Sequence, residues 1–452
     1  MVPRQAMAFV AALTAVYSTV SIRLHLRFHS AGYDLGIFEQ AIRAYAGLRA
    51  PIVDLKGPGV NLLGDHFHPI LVVLAPFYAV FPSPITLLVA QAFLFALAAA
   101  PLVVWAQRAL GGVAATAVGL IYGLSFGIAS AVGFDFHEIA FAVPLIAFSL
   151  AALGQDRLRA ASLWALPLVL VKEDLGITVV AVVGFLLVLR GARRLGILTA
   201  AFGIAASIVE VTVLLPAFAA GGGYAYWSKL SSGPSIITVA LTSLDVKLDT
   251  LLLTVAITGF AALFSPLALA AVPTLLWRFL GNDANYWGTD YHYSAVLMPI
   301  MVAAMVDAVV RWRRRPGRLG RWAAPMVLST ALAVSAVAFP FQALGQLFGP
   351  TLWQPNPQSA AIESALARIP DGVTVSASDN LVPQLTARDT LTLFGLSPLA
   401  RIRPQWIIVD PESPRHYRVT RAAEQRDLRL AEGGGYAVAF RKGDITLLRR
   451  LQ

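Results

Sequence analysis

Long apolar runs recur through the first three quarters of this chain, and they leave few options for its fold. A bilayer-spanning helix needs ~20 mostly apolar residues, fewer where its ends are buried in protein. Such runs fall near residues 6–23, 85–107, 113–133, 139–153, 160–171, 175–190, 195–216, 249–264, 266–280, 293–311 and 322–341. That makes about eleven transmembrane helices, of which the fifth, eighth and ninth are short. The 452 residues are 57% hydrophobic and 13% charged. A soluble domain cannot hide that much apolar surface, so lipid must be part of the solvent.

The links between the runs suggest an orientation. Arg4, Arg108, Arg157 with Arg159, Arg190 with Arg193 and Arg194, and "RWRRRPGRLGRW" from Arg311 to Trp322 all fall on one side. Basic links mark the cytoplasmic side, which puts the N-terminus in the cytoplasm. The segment Pro69 to Phe81 is apolar but only 13 residues long. If it spanned, every later basic link would flip outward, so it reads as a surface helix. The first run lacks a small-residue cleavage site and reads as an uncleaved anchor. The net charge of +10 does not point to nucleic acid, because the basic residues sit in these short links and in the last quarter. Without cysteine there are no disulfides or thiolate metal sites.

The outer face then receives a first loop, 22–84, with two surface helices. It also holds "FDFHE" (Phe134 to Glu138), "KED" (Lys172 to Asp174), a loop from Ala217 to Lys247 and "LGNDANYWGTDYHY" (Leu280 to Tyr293). We expect a transmembrane domain over 1–341 and an extracytoplasmic α/β domain over 342–452. In the latter, Ser359 to Ile369 has helical spacing, and Val373–Ser378, Thr390–Phe394 and Trp406–Asp410 read as buried strands. Tyr436 to Arg450 reads as a hairpin turning at Lys442-Gly443-Asp444.

Candidate chemistry gathers on the outer side. "AGYDLGIFEQAIRAYA" (Ala31 to Ala46) reads as a short amphipathic helix carrying Asp34 and Glu39, its stripe of Ile37, Phe38, Ile42 and Tyr45 lying on the membrane surface. Asp34 also fits a helix N-cap. Asp65, His66 and His68 are ligand types for a divalent metal ion, but a set this short needs a distant further ligand and none stands out, so an interfacial loop bonding backbone and water is the plainer reading. Asp135, His137 and Glu138 share a tight turn. Lys172, Glu173 and Asp174 share another, where they can also simply pair with each other. Ionisable groups at membrane depth usually line a cavity or pathway, and acid beside base suits proton transfer or anion binding. Glu210 is the acid placed well inside an apolar run and should face the interior and find a partner. Lys172, Arg278 and His292, next to Tyr293, can together hold a phosphate, although Arg278 can also snorkel to headgroups. "SASDNLVP" and "IVDPESP" in the tail read as ordinary strand-to-turn punctuation.

One helix, an outer loop with an acid, a second surface helix entered by His-Pro, a hydrophobic hairpin ending in "WAQRALGG", many spans and an outer α/β tail occur here in an order that resembles the GT-C class of membrane glycosyltransferases. The motifs "YDLGIFEQ", "GDHFHPIL", "FDFHE", "LVKEDLG" and "HYS" resemble, more closely, a bacterial membrane-protein family known as a domain of unknown function. The GT-C resemblance implies a polyprenyl-phosphate sugar donor reached from the bilayer, an extracytoplasmic glycan, lipid or protein acceptor, and inversion in one displacement. It makes Asp34 the catalytic base and Asp135 or Glu138 the second-loop acid. Here the first loop has Asp followed by Leu rather than paired acids, and a histidine-rich stretch replaces the usual Lys-Pro-Pro entry. A transporter or flippase using Glu210 and "KED" as coupling groups, or an envelope-assembly scaffold, are the rival readings. Paired inverted repeats, which would favour a transporter, are not seen in the sequence.

Overall fold

The computed structural model describes residues 4–219, 221–222, 234–413 and 418–451. Each of the eleven apolar runs falls on helix. Among the described residues, Arg4–Leu26, Pro84–Leu110, Arg193–Phe218 and Gly320–Phe341 are long and apolar enough to cross a membrane unbroken. Gly112–Gly123 and Phe126–Gly133 form a pair bent by 44°. Glu138–Gly154, Leu158–Leu170, Gly176–Leu189 and Pro266–Leu280 are shorter apolar helices. Proline explains some of the breaks: Pro167 and Pro266 each open a short 3-10 turn, because proline cannot donate the backbone hydrogen bond a continuous helix needs. Of the expected loop from Ala217 to Lys247, residues 220 and 223–233 lie outside the described residues, and the helix after it begins at Leu244.

At the centre runs Leu297–Arg313, buried from Leu297 to Val309. Helices Gly176–Leu189 and Arg193–Val209 pack at backbone distance. A side chain on Gly176 would meet the Gly203 carbonyl at 2.3 Å, and one on Gly184 the Gly196 carbonyl at 2.6 Å. Small residues are what allow such close packing inside a bilayer.

The tail carries, among the described residues, a five-stranded sheet in the order β2-β1-β3-β5-β4. Its strands are β1 Thr374–Ala377, β2 Thr390–Leu393, β3 Trp406–Val409, β4 Tyr436–Lys442 and β5 Ile445–Arg450. Strand β1 lies between β2 and β3, all three parallel, with Ser376 opposite Thr392 on one side and Ile407 on the other. Strands β5 and β4 close the sheet antiparallel as a hairpin turning at Gly443. Each expected strand is present. The helix Arg421–Gly433, capped by the Thr420 hydroxyl, was not foreseen, because it is strongly polar and buries only Glu424 and Ala431. The chain leaves β1 toward β2 and leaves β3 toward the opposite edge of the sheet, so the carboxyl ends of β1 and β3 flank a switch-point crevice.

Two expectations about the first loop are corrected. The helix runs from Ile37 to Ala46 only, and no side chain caps it. Asp34 lies before it, in an irregular turn with φ 179° and ψ −69°, so it is not an N-cap. Nor does the apolar stripe lie on the membrane: Ile37, Phe38 and Ile42 are buried in the protein core. The second surface helix, Pro69–Val80, and the "FDFHE" turn pack on the stripe, where Phe38 meets the rings of His68, Phe136 and His137, while the tail holds the polar side of this helix. Arg43 Nη1 donates to the Asp389 and Thr386 carbonyls at 2.7 and 2.9 Å, and Gln40 Nε2 to the Leu391 carbonyl at 3.0 Å.

Candidate functional site

The first loop, the "FDFHE" and "KED" turns, the 280–293 segment and the tail meet at one end of the bundle. The basic links lie at the other, where Arg190 pairs with Asp156 at 2.5 Å and Arg311 with Asp307 at 3.0 Å.

The turn bearing Asp34 is held from two sides. Ala31 N–H donates to Asp135 Oδ2 at 2.8 Å. Gly32 N–H donates to the Asp379 carbonyl at 2.7 Å, and Tyr33 N–H to Asp379 Oδ1 at 2.8 Å. Asp379 follows β1, so it reaches this turn from the crevice of the sheet. Gly32 is required here, since a side chain on it would lie 2.6 Å from Val382 Cβ. Asp34 itself is half-buried. Burial raises its carboxyl well above the usual range, and the Asp135 and Glu138 carboxylates raise it further, against the pull of Lys56.

Behind this turn lies a packed set of ionisable groups. Gln91, from the helix Pro84–Leu97, fixes "FDFHE" by donating to the Asp135 carbonyl and accepting from His137 N–H, both at 3.0 Å. His137 Nδ1 lies 2.7 Å from Glu138 Oε2, and Lys172 Nζ lies 3.2 Å from Glu138 Oε1. The rings of His137 and His292 stack at 3.4 Å. Burial, with the other's ring close by, holds His292 well below the usual imidazole range. Burial also depresses His137, although Glu138 opposes it. Burial works to lower Lys172 as well, but Glu138 and Asp174 outweigh it and the ammonium is raised. Asp174 is pushed up to about 6 by burial, and Lys172 only partly offsets this.

The histidine-rich run is divided among three partners. Asp65 pairs with Lys56. His66 Nδ1 lies 2.6 Å from Glu173 Oε1. Burial disfavours ionised Glu173, yet His66 and Lys172 hold it down at about 2. His68 is buried edge-on to Phe38, and burial lowers it to about 4. Among the described residues no set of three His, Asp or Glu side chains is arranged to hold a metal ion.

Arg278 neither snorkels nor reaches outward. It is fully buried, and donates to the Tyr286 carbonyl at 2.8 Å, the Gly288 carbonyl at 2.7 Å and Ser294 Oγ at 3.1 Å. It therefore builds the 286–294 segment on which His292 and Tyr293 ride, and Tyr293 packs against Tyr286 at 5.0 Å. Glu210 does face the interior, but the partner expected for it is missing: Oε2 is buried with no hydrogen bond among the described residues, and its charged neighbours are Glu173 and Asp174.

Beside the Asp34 turn opens a cavity of about 740 Å³. Its wall runs from Phe126 and Leu253 among the helices, past Phe134, Tyr291 and Tyr33, to Asp379 of the tail. The Tyr33 ring lies under two cations, Lys56 at 5.4 Å and Arg418 at 4.8 Å.

A family described as "Predicted membrane protein (DUF2079)" matches residues 24–446. The chain belongs to the DUF2079 family. No curated protein matches it. The DUF2079 fold is similar to crystal structures of ArnT from Cupriavidus metallidurans, one bound to undecaprenyl phosphate and one in the apo state. The TM-scores are 0.61 and 0.62, at 14% identity over 98% of this chain and 97% of ArnT. The expected GT-C-like helical body with a small C-terminal sheet domain is thus the observed fold.

Sequence reasoning passed over several residues that shape this DUF2079 site. In the sequence, Asp379 and Val382 read as strand-to-turn punctuation, Gln91 as part of an apolar span, and Lys56 as loop. Asp379, Gln91 and Lys56 are lone polar groups at the edge of or within less polar sequence, and what each faces, from nine residues away for Lys56 to 346 for Asp379, is settled only by the fold.

Proposed function

We propose that this protein transfers a sugar from a polyprenyl-phosphate donor to an acceptor hydroxyl at the outer face of the membrane, with Asp34 as base. The observation that carries the reading is the half-buried Asp34 turn, fixed by Asp135 and Asp379, beside a cavity that joins the helices to the tail. Its likeness in fold to ArnT, a GT-C glycosyltransferase solved with undecaprenyl phosphate, supports the general kind. On this reading the lipid chain enters between helices near Phe126 and Leu253, and the acceptor approaches from the tail side.

Asp34 removes the proton from the acceptor hydroxyl as its oxygen attacks the anomeric carbon. The bond from that carbon to the donor phosphate breaks, and the lipid phosphate leaves as an anion with inversion at carbon. Positive charge nearby stabilises it. Lys56 and Arg418, over the Tyr33 ring that lines the cavity, are placed to do this, with Lys172 behind. Asp135 and Asp379 act by holding the turn. The raised Asp34 carboxyl makes a stronger base once ionised, so turnover rises with pH as the acid form is lost. The N-terminus and basic links lie in the cytoplasm, and residues 342–452 form the extracytoplasmic domain.

The test is transfer by purified protein from a panel of polyprenyl-phosphate sugars to envelope glycan fragments. Asp34→Asn should cost ~100-fold or more in turnover while donor binding persists. Wild-type turnover in that variant refutes the base assignment. One observation favours a second reading, a proton-coupled transporter: Glu210 lies buried beside Glu173 and Asp174. In that case Glu210→Gln, rather than Asp34→Asn, abolishes activity.

A further inference from the structure

At the basic end of the bundle, far from the Asp34 turn, the helices Arg4–Leu26, Ala99–Leu110, Ala142–Gly154 and Leu158–Ala165 border a groove of about 1070 Å³. Its floor is made of small residues, including Ala11, Ala100 and Ala151, and its rim of Phe93 and of Phe148 stacked on Trp164 at 4.6 Å. Away from its charged end the lining of this groove between membrane helices is mostly apolar, which suits hydrocarbon rather than water.

One end of the groove is charged. Arg108, in the last turn of its helix, and Arg157, just ahead of the next, both line it and both are exposed. The acids at this end are already engaged: Asp156 with Arg190, and Asp307 with Arg190 and Arg311. Neither Arg108 nor Arg157 has an ion-pair or hydrogen-bonded side-chain partner among the described residues. Two guanidinium groups therefore share one mouth with no protein anion between them, above a trough shaped for hydrocarbon. A planar guanidinium suits bidentate binding of a phosphodiester. Tryptophan at the rim is the residue expected at headgroup depth.

We infer that this groove is a binding site for an anionic glycerophospholipid of the leaflet at the basic end, its acyl chain along the alanine floor and its phosphate between Arg108 and Arg157. The site is independent of the Asp34 cavity, and its occupancy does not depend on the reaction proposed above. Lipid held there bridges the first helix to the two hairpins beside it.

The test uses full-length protein exchanged into detergent with equal amounts of phosphatidylglycerol and phosphatidylcholine, and counts retained lipids by native mass spectrometry. Wild type should retain phosphatidylglycerol about tenfold over phosphatidylcholine. Arg108→Gln with Arg157→Gln should bring that ratio to near one. Arg193→Gln with Arg194→Gln, which removes two exposed arginines of the same basic end away from the groove, should leave it unchanged. Ala11→Trp fills the groove from an exposed position and should lower the count of both lipids. An even ratio in wild type, an equal drop in the Arg193/Arg194 variant, or an unchanged count in Ala11→Trp overturns the inference.

Discussion

Glu39 lies at the junction of the first loop and the tail, and its titration should be readable as stability. It is fully buried. Tyr78 OH donates to its Oε1 at 2.8 Å, and the Thr386 hydroxyl donates to its Oε2. Burial pushes its carboxyl up from the ordinary 4.5 to about 7, although Thr386, Tyr78 and Arg43 oppose the rise. The folded protein therefore holds this proton more tightly than the unfolded chain does. Its contribution to stability is fully present below pH ~4.5 and is lost as pH rises toward ~7, beyond which both states are ionised. At ~1.4 kcal/mol per tenfold change, that loss is about 3 kcal/mol. Glu39→Gln removes the titration and keeps the contact, because a glutamine amide can accept from Tyr78 while the Thr386 hydroxyl turns to accept from it. Melting the two proteins in the same detergent at pH 5, 6, 7 and 8 isolates the group, since other titrations cancel in the difference. The variant should gain on wild type by about 2.5 kcal/mol between pH 5 and 8, roughly 2–3 °C for a chain of this length. A difference that stays flat over that range, or a wild type that gains instead, refutes the reasoning.

Gly32→Ala should cost ~1–3 kcal/mol, because the new methyl would overlap Val382; Val382→Gly, which removes the clashing Cβ, should cost less in the Gly32→Ala background than alone, seen as a non-additive melting shift in the double variant. Arg278→Lys should loosen the 286–294 segment, because one ammonium cannot replace a fork serving two carbonyls and the Ser294 hydroxyl; faster hydrogen exchange at 286–294, with the sheet unchanged, would show this.

The helical body and the strands of the tail were legible because each rests on a local signal, either an apolar run or a period-two pattern between turn residues. Asp34, Asp135, Glu138 and Lys172 could be picked out as acids and bases bordering apolar runs, and the structure does bring them to one end. What local sequence could not carry was the partner of each group. Arg278 reads equally as a phosphate ligand or a snorkelling side chain until the 286–294 backbone folds over it. The stripe of Ile37, Phe38 and Ile42 reads as membrane-facing until the second surface helix and the "FDFHE" turn pack against it. Asp65, His66 and His68 are adjacent in sequence and part company because Lys56, Glu173 and Phe38 each draw one away.

The attachment of the Asp34 turn to Asp379 has a consequence for how the molecule is made. Asp135 and Lys56, which hold or flank this turn from the membrane body, are synthesised within the first third of the chain. The acceptors for the Gly32 and Tyr33 amides come from the residue that follows β1, after all the membrane helices have been laid down. A nascent chain can thus insert its whole bundle while the turn is still unset, and a product cut short before β1 is a membrane-embedded body without a fixed Asp34. Completion of the tail is thus the step that sets the turn, and a prematurely terminated copy keeps the bundle but lacks the groups that fix Gly32 and Tyr33.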